Sequence, residues 1–281
     1  MGEDNAEAPV SYEDLAAIEE EFDAIDLEIT RKQYTLSLPT YARRAALTAR
    51  IPSFWPLVFE QCPPELDAYI LPQDSAVLAK HLTGFSVNRP ELDADPVGGD
   101  PRTVRFRFEF AGEDRPFEDE VLEKTVWMGK DGMGSEPVQV RWKEGKDLSG
   151  GVTAATQRWW EAGGKADGPE WKDLIQKVEE GGGVVSFFAW FAWVGTKRPG
   201  GRKVEEGAEE EGEAHPGGEE IAVVLAEEVW PDAVNLFTQA QEDDGGEGEL
   251  DGSDSEEESL GEEEHKRDGP GEGRASKRVK V

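Results

Sequence analysis

From Ser11 onward, apolar residues recur in steps of three and four: Leu15, Ile18, Phe22, Ile25 and Ile29, with Leu36 on the same line after a polar interruption at Lys32. This heptad spacing predicts one long helix whose other faces are filled largely by Glu19, Glu20, Glu21, Asp23, Asp26 and Glu28. Ser11 followed by Asp14 has the form of a capping box, with Asp in place of the usual Glu or Gln. Continuous from Ser11 to Arg50, the helix would extend about 60 Å at ~1.5 Å per residue. Pro39 is expected to kink or offset it, because the heptad register fails there. A single narrow apolar stripe does not stabilise a lone surface helix. Its charged flanks favour the same helix of a second copy as the cover, over packing on the chain's own core.

Further along, Ser53 is placed to cap a short apolar helix, Phe54 to Phe59, which Pro63-Pro64 closes, and a second helix is expected over Gln73 to Leu82. Residues 103–110 alternate strictly, with Val104, Phe106, Phe108 and Phe110 on one side and Arg105, Arg107 and Glu109 on the other. Val121 to Met128 and Val138 to Trp142 read as further strands joined by a glycine-rich turn over 129–134. The pattern predicts an antiparallel meander with one covered and one polar face. Residues 144–183 are rich in Gly and Lys and read as a loop-rich insertion with two short helical stretches, around Trp159-Trp160 and over Trp171 to Val178. Val184 to Val194 is the most apolar stretch, and its aromatic block is expected to pack a helix on the sheet. An acidic glycine-rich loop covers 199–220, Ile221 to Leu225 is apolar again, and Trp230-Pro231 opens a helix to about Ala240. The expected division is a loose leader over 1–10, a dimerisation helix over 11–51, an α+β domain over 52–240 and a disordered tail over 241–281.

Composition sharpens this picture mainly through charge. The formal charge of the 281 residues is −32, which repels phosphates and anionic membranes and attracts cationic proteins. The charge is concentrated: residues 242–264 hold thirteen acidic side chains and no Lys or Arg. Such a run buries too little apolar surface to offset chain entropy. Nine tryptophans argue that the body is folded, and Cys62, the only cysteine, excludes an intramolecular disulfide and a Cys-based zinc site. The N-terminus has no signal-peptide pattern and no apolar run approaches the ~20 residues of a bilayer span. No membrane association and no strong direct DNA binding are expected.

Several stretches, in order, resemble the nucleosome assembly protein family of histone chaperones, and most of all its SET-type (template-activating factor) branch. They are the heptad helix leading into Arg43-Arg44-Ala45-Ala46-Leu47 and Ala49-Arg50-Ile51-Pro52-Ser53-Phe54-Trp55, then Val121-Leu122-Glu123-Lys124, then Arg141-Trp142-Lys143-Glu144-Gly145-Lys146-Asp147-Leu148. Ser186-Phe187-Phe188-Ala189-Trp190-Phe191 and Glu228-Val229-Trp230-Pro231, with an acidic tail behind them, complete the set. The chain departs from the family pattern at 111–117, in the Gly-rich character of 144–183, and at Trp193. The resemblance implies a homodimer built on the long helices, each subunit carrying an α+β "earmuff" domain with a concave underside. It further implies binding of core histones there, the H3–H4 pair or the other core pair, without ATP or cofactor.

The residues fit that chemistry on physical grounds. Histones bind DNA through many Lys and Arg contacts, and a carrier that competes needs carboxylates fixed in geometry plus a weak multivalent polyanion. Glu118, Asp119 and Glu120 before a strand, and Glu227, Glu228 and Asp232 around Trp230, are the candidates for ordered contacts. Glu256, Glu257, Glu258, Glu262, Glu263 and Glu264 represent the tail. Lys266-Arg267, nine residues, then Lys277-Arg278 and Lys280 resemble a bipartite import signal, which implies importin as a partner and a nuclear location. Enzyme signals are weak. His81, His215 and His265 are scattered, and the glycine clusters at 98–99 and 181–183 lack the Lys-Ser/Thr of a phosphate loop, so neither catalysis nor a metal site is expected. A contrasting reading is an acidic scaffold that binds or inhibits a chromatin enzyme such as a phosphatase or acetyltransferase. An acidic DNA mimic is a third.

Overall fold

A computed structural model of the chain describes residues 11–129, 132–165, 168–181, 185–195 and 214–244. The predicted leader, most of the acidic loop, the acidic tail from 245 and the basic cluster lie outside the described residues.

Helix α1 spans Tyr12–Thr48 and runs through Pro39 without a break, capped by reciprocal Ser11–Asp14 hydrogen bonds. It carries two stripes. The apolar one, Leu15, Ile18, Phe22, Ile25, Ile29 and Leu36, stands 48–69% exposed. The other, Arg31, Tyr34, Ser37, Tyr41, Arg44 and Thr48, is the less exposed side and touches the rest of the chain. Tyr34 Oη donates to Asp93 at 2.7 Å, and Arg31 reaches the Gly99 carbonyl at 3.1 Å. The apolar stripe therefore does not serve the chain's own core.

Short helices α2 (Phe54–Glu60), α3 (Pro64–Asp67) and α4 (Pro72–His81) lead into a four-stranded antiparallel sheet. Its strands are β1 (Leu82–Asn88), β2 (Val104–Phe110), β3 (Val121–Gly129) and β4 (Gly132–Ser135), in that order, with helix α5 (Pro90–Ala94) between β1 and β2. Two strand expectations change. Strand β1 was not foreseen, because a register shift between Leu82 and Gly84 interrupts its alternation. Val138 to Trp142 is not a strand. β4 precedes it in the turn region, and Trp142 makes one isolated bridge to Phe117. Pro137 has no N–H to donate, and the Val138 N–H is taken by the Phe191 carbonyl at 2.7 Å.

The alternation of β2 works as expected. Phe106, Phe108 and Phe110 are buried, and Phe106 and Phe108 meet Trp190 and Phe191 of a 3-10 helix, Phe187–Ala192, at ring distances of 5.4 and 5.5 Å. Buried Asp74 of α4 fixes the start of that helix, accepting from Ser186 Oγ at 2.6 Å and from the Phe187 N–H at 2.8 Å. Its end is held by Lys124, fully buried, whose ammonium donates to the Phe191 and Trp193 carbonyls at 3.0 and 2.7 Å. Burial pushes that amine well below its ordinary range.

The 144–183 insertion is more ordered than its composition suggests. Helices α6 (Val152–Glu161) and α7 (Pro169–Glu180) form a second small core in which Trp159 and Trp171 pack at 5.4 Å. Ala189 and Ala192 of the 3-10 helix complete it.

Candidate functional site: an acidic helix face

The chain ends its described part in one continuous helical run. Helix α8 (Gly218–Val224) passes through a wide turn, Leu225–Val229, into α9 (Trp230–Asp244), four residues beyond the predicted end. Its buried positions Ile221, Leu225, Val229 and Ala233 are spaced by fours. In an α-helix each such step drifts about 40°. The wide turn, in which the Trp230 N–H reaches back to Leu225, absorbs the drift and keeps the apolar side on the core. It also makes room before Pro231, which has no N–H to continue an ordinary turn.

Trp230 is the bolt. It lies 5.9 Å from Trp55 in a stacked pair and 5.1 Å from Tyr41. The Arg44 guanidinium sits 4.1 Å over its ring while donating to its carbonyl at 2.5 Å. Burial holds the Arg44 pKa below its ordinary value. With Trp230 inward, Glu227, Glu228 and Asp232 are turned to solvent, as are Glu219, Glu220 and Glu242 on the same run. No Lys or Arg occurs anywhere between residues 204 and 265. The partners these carboxylates do have are few. Glu227 pairs with Arg89 at 3.3 Å, Glu219 accepts the Met133 N–H at 2.9 Å, Glu220 accepts from Tyr69 at 2.8 Å, and Asp232 accepts from Asn235 at 2.8 Å.

The other predicted trio sits elsewhere. Glu118, Asp119 and Glu120 follow β2, at the end of the sheet away from Glu227, so a strand of seven residues, about 20 Å long, separates them from Glu227. Asp119 is buried and accepts from Arg141 Nε at 2.6 Å and from its N–H at 2.8 Å, so it is not an open contact residue. Arg115 donates to the Gly112, Glu118 and Asp119 carbonyls and lies 3.7 Å from Glu120. Lys80 pairs with Asp114, and Lys143 reaches the Glu113 carbonyl. The loop carboxylates are thus interleaved with cations. Glu219, Glu220 and Glu242 were not singled out from sequence. The signal for them was the long cation-free stretch, which starts well before the dense acidic run.

The two described histidines are structural. His81 bonds the Ala111 carbonyl at 3.0 Å, and buried His215 is held neutral, its pKa pushed down to about 3 by desolvation first and Lys124 second. Among the described residues no group of His, Cys, Asp and Glu has the arrangement of a metal site.

The sequence profile of the nucleosome assembly protein (NAP) family matches residues 19–240. The chain belongs to this family. It is 28% identical over 252 residues to a putative nucleosome assembly protein of Schizosaccharomyces pombe, covering 83% of this chain and 82% of the relative. It is 27% identical over 236 residues to vacuolar protein sorting-associated protein 75 of Saccharomyces cerevisiae, covering 82% and 78%. Among solved structures, the Vps75 histone chaperone superposes with a TM-score of 0.55 at 25% identity, over 82% of this chain and 96% of that one. Ccp1 superposes with a TM-score of 0.55 at 25% identity, over 85% and 98%. This NAP-family chain thus shares with both the long helix followed by an α+β body.

Proposed function

We propose that this protein is a non-enzymatic, ATP-independent histone chaperone that holds core histones on the carboxylate face of α8 and α9, with the acidic tail adding weak multivalent attraction. The observation that carries the reading is the row Glu219, Glu220, Glu227, Glu228, Asp232 and Glu242, exposed along one helical run that has no cation of its own. Fixed carboxylates pair with Arg in a defined geometry, whereas a flexible polyanion supplies capture without register. Membership of a family whose relatives include a protein described as a histone chaperone supports the same reading. The basic cluster Lys266, Arg267, Lys277, Arg278 and Lys280 would serve nuclear entry through an importin.

The working unit in this proposal is a homodimer joined along the exposed stripe of α1. Its first half carries Glu19, Glu20, Glu21, Asp23, Asp26 and Glu28, and its second half Lys32 and Arg43 with no acid. An antiparallel pairing sets acidic halves against basic ones. Replacing Ile18→Glu and Ile25→Glu together is expected to give monomers in sedimentation at micromolar concentration. A double variant that still sedimented as a dimer would reject the seam.

The function itself is tested by titrating labelled H3–H4 with the full chain and with a version ending at Asp244, at near-physiological salt. Saturable binding by both, weaker for the short form, is expected. Binding that vanishes with the tail would assign residues 245–281 the whole effect and reject the helix face.

A further inference from the structure

The acidic face is not purely polar. Val223 and Val234 stand 40% and 49% exposed among its carboxylates. Beside Val223 the surface opens into an apolar cavity of about 220 Å³ between the α8 end of the run and the sheet, with Phe106, Val126 and Met133 in its wall and Ala226 at its lip. The cavity is smaller than the roughly 300 Å³ at which small-molecule sites begin, and its scale suits one apolar side chain. Its rim is charged on both signs, but the cations are already engaged. Arg102 is held by Asp100 at 2.8 Å, and Arg89 by the Pro101 carbonyl and Glu227. Glu227 lines the mouth, and Glu219 is pinned against Met133. An apolar floor within a carboxylate face is complementary to an apolar side chain carried on a Lys/Arg-rich surface.

The geometry points to a single-residue anchor pocket: the bound histone inserts one apolar side chain beside Val223 while its flanking Lys and Arg residues meet the exposed carboxylates farther along the α8–α9 run. This rests on the function proposed above and adds to it a source of discrimination that charge lacks. A buried apolar anchor ringed by polar contacts carries a disproportionate share of binding energy, while the charged rim sets capture rate and salt dependence. A generic polycation has nothing to place in the cavity, so the pocket separates histones from mere positive charge.

The test uses the full-length dimer with Val223→Ser, which leaves every charge in place, and Ala226→Met, which fills the cavity from its lip. Labelled H3–H4 and poly-L-lysine are titrated against each across a salt series, with sedimentation and thermal melts alongside. Expected is a loss of about five- to tenfold in H3–H4 affinity for both variants at every salt. The salt slope, the melting temperature, the dimer and the poly-L-lysine affinity should not move. Unchanged H3–H4 affinity in both variants would overturn the pocket while leaving the charged face standing. Equal losses for H3–H4 and poly-L-lysine would do the same. A shift in the dimer equilibrium without a shift in histone affinity would give the cavity to the second copy. If the unmodified dimer failed to bind H3–H4 saturably, the proposed function would fall and the pocket with it.

Discussion

Two clusters of carboxylates, in the loop after β2 and on the α8–α9 run, look alike in sequence and differ in what surrounds them. The loop brings Arg115, Arg141, Lys143 and Lys80 among its acids, and Asp119 is consumed in a buried pair with Arg141. The helical run has no cation of its own and turns its apolar side, bolted by Trp230, to the core. One cluster spends its charge on holding a loop in place, and the other meets a cation only where Arg89 reaches Glu227. Acidic side chains are therefore informative about binding only after their intramolecular partners have been counted, since a paired carboxylate has little left to offer an incoming Arg.

Three substitutions probe that contrast, in descending order of effect. Asp119→Ala should lower stability by about 2–3 kcal/mol, because it strips a buried charged hydrogen-bond acceptor from Arg141. A urea melt would register this, and the protein that remains folded should bind H3–H4 as before. Neutralising the helical face with Glu227→Gln, Glu228→Gln and Asp232→Asn should weaken H3–H4 about tenfold, or ~1.4 kcal/mol. It should hardly change the melt, since the Arg89–Glu227 pair is largely exposed on its acidic side. Glu118→Gln with Glu120→Gln should change H3–H4 affinity by less than about twofold, the scale of solvated, partly neutralised charges. A loop double variant that hurt binding more than the helical triple variant would reverse the assignment.

The same contrast runs through α1. Its heptad line was legible at once, and so was its need for a cover, because the period of an α-helix is a local property of the chain. What periodicity could not reveal is the second stripe, in which Arg31, Tyr34, Tyr41 and Arg44 hold the helix to its own domain by hydrogen bonds and contacts with the Trp230 ring. Those residues have no common polarity, so no hydropathy pattern announces them. Strand β2 and the aromatic block were readable for the opposite reason: strict alternation and a dense apolar run each permit few arrangements. Strand β1 hid behind a register shift between Leu82 and Gly84, and β4 behind glycines that read as a turn.

By itself, then, the sequence determined the long helix, the covered face of the sheet, the aromatic core and the excess of negative charge, all of which depend on near neighbours in the chain. The tertiary structure decided which carboxylates stay open. Asp119 meets its cation 22 residues away, and Glu227 meets its own 138 residues away across the sheet's far end. It also decided that an apolar cavity opens beside Glu227, since Val223, Phe106 and Met133 adjoin only once α8 lies over the strands. Charge is written locally, but its neutralisation is a matter of distance in space, and distance is set by the packing of the whole fold.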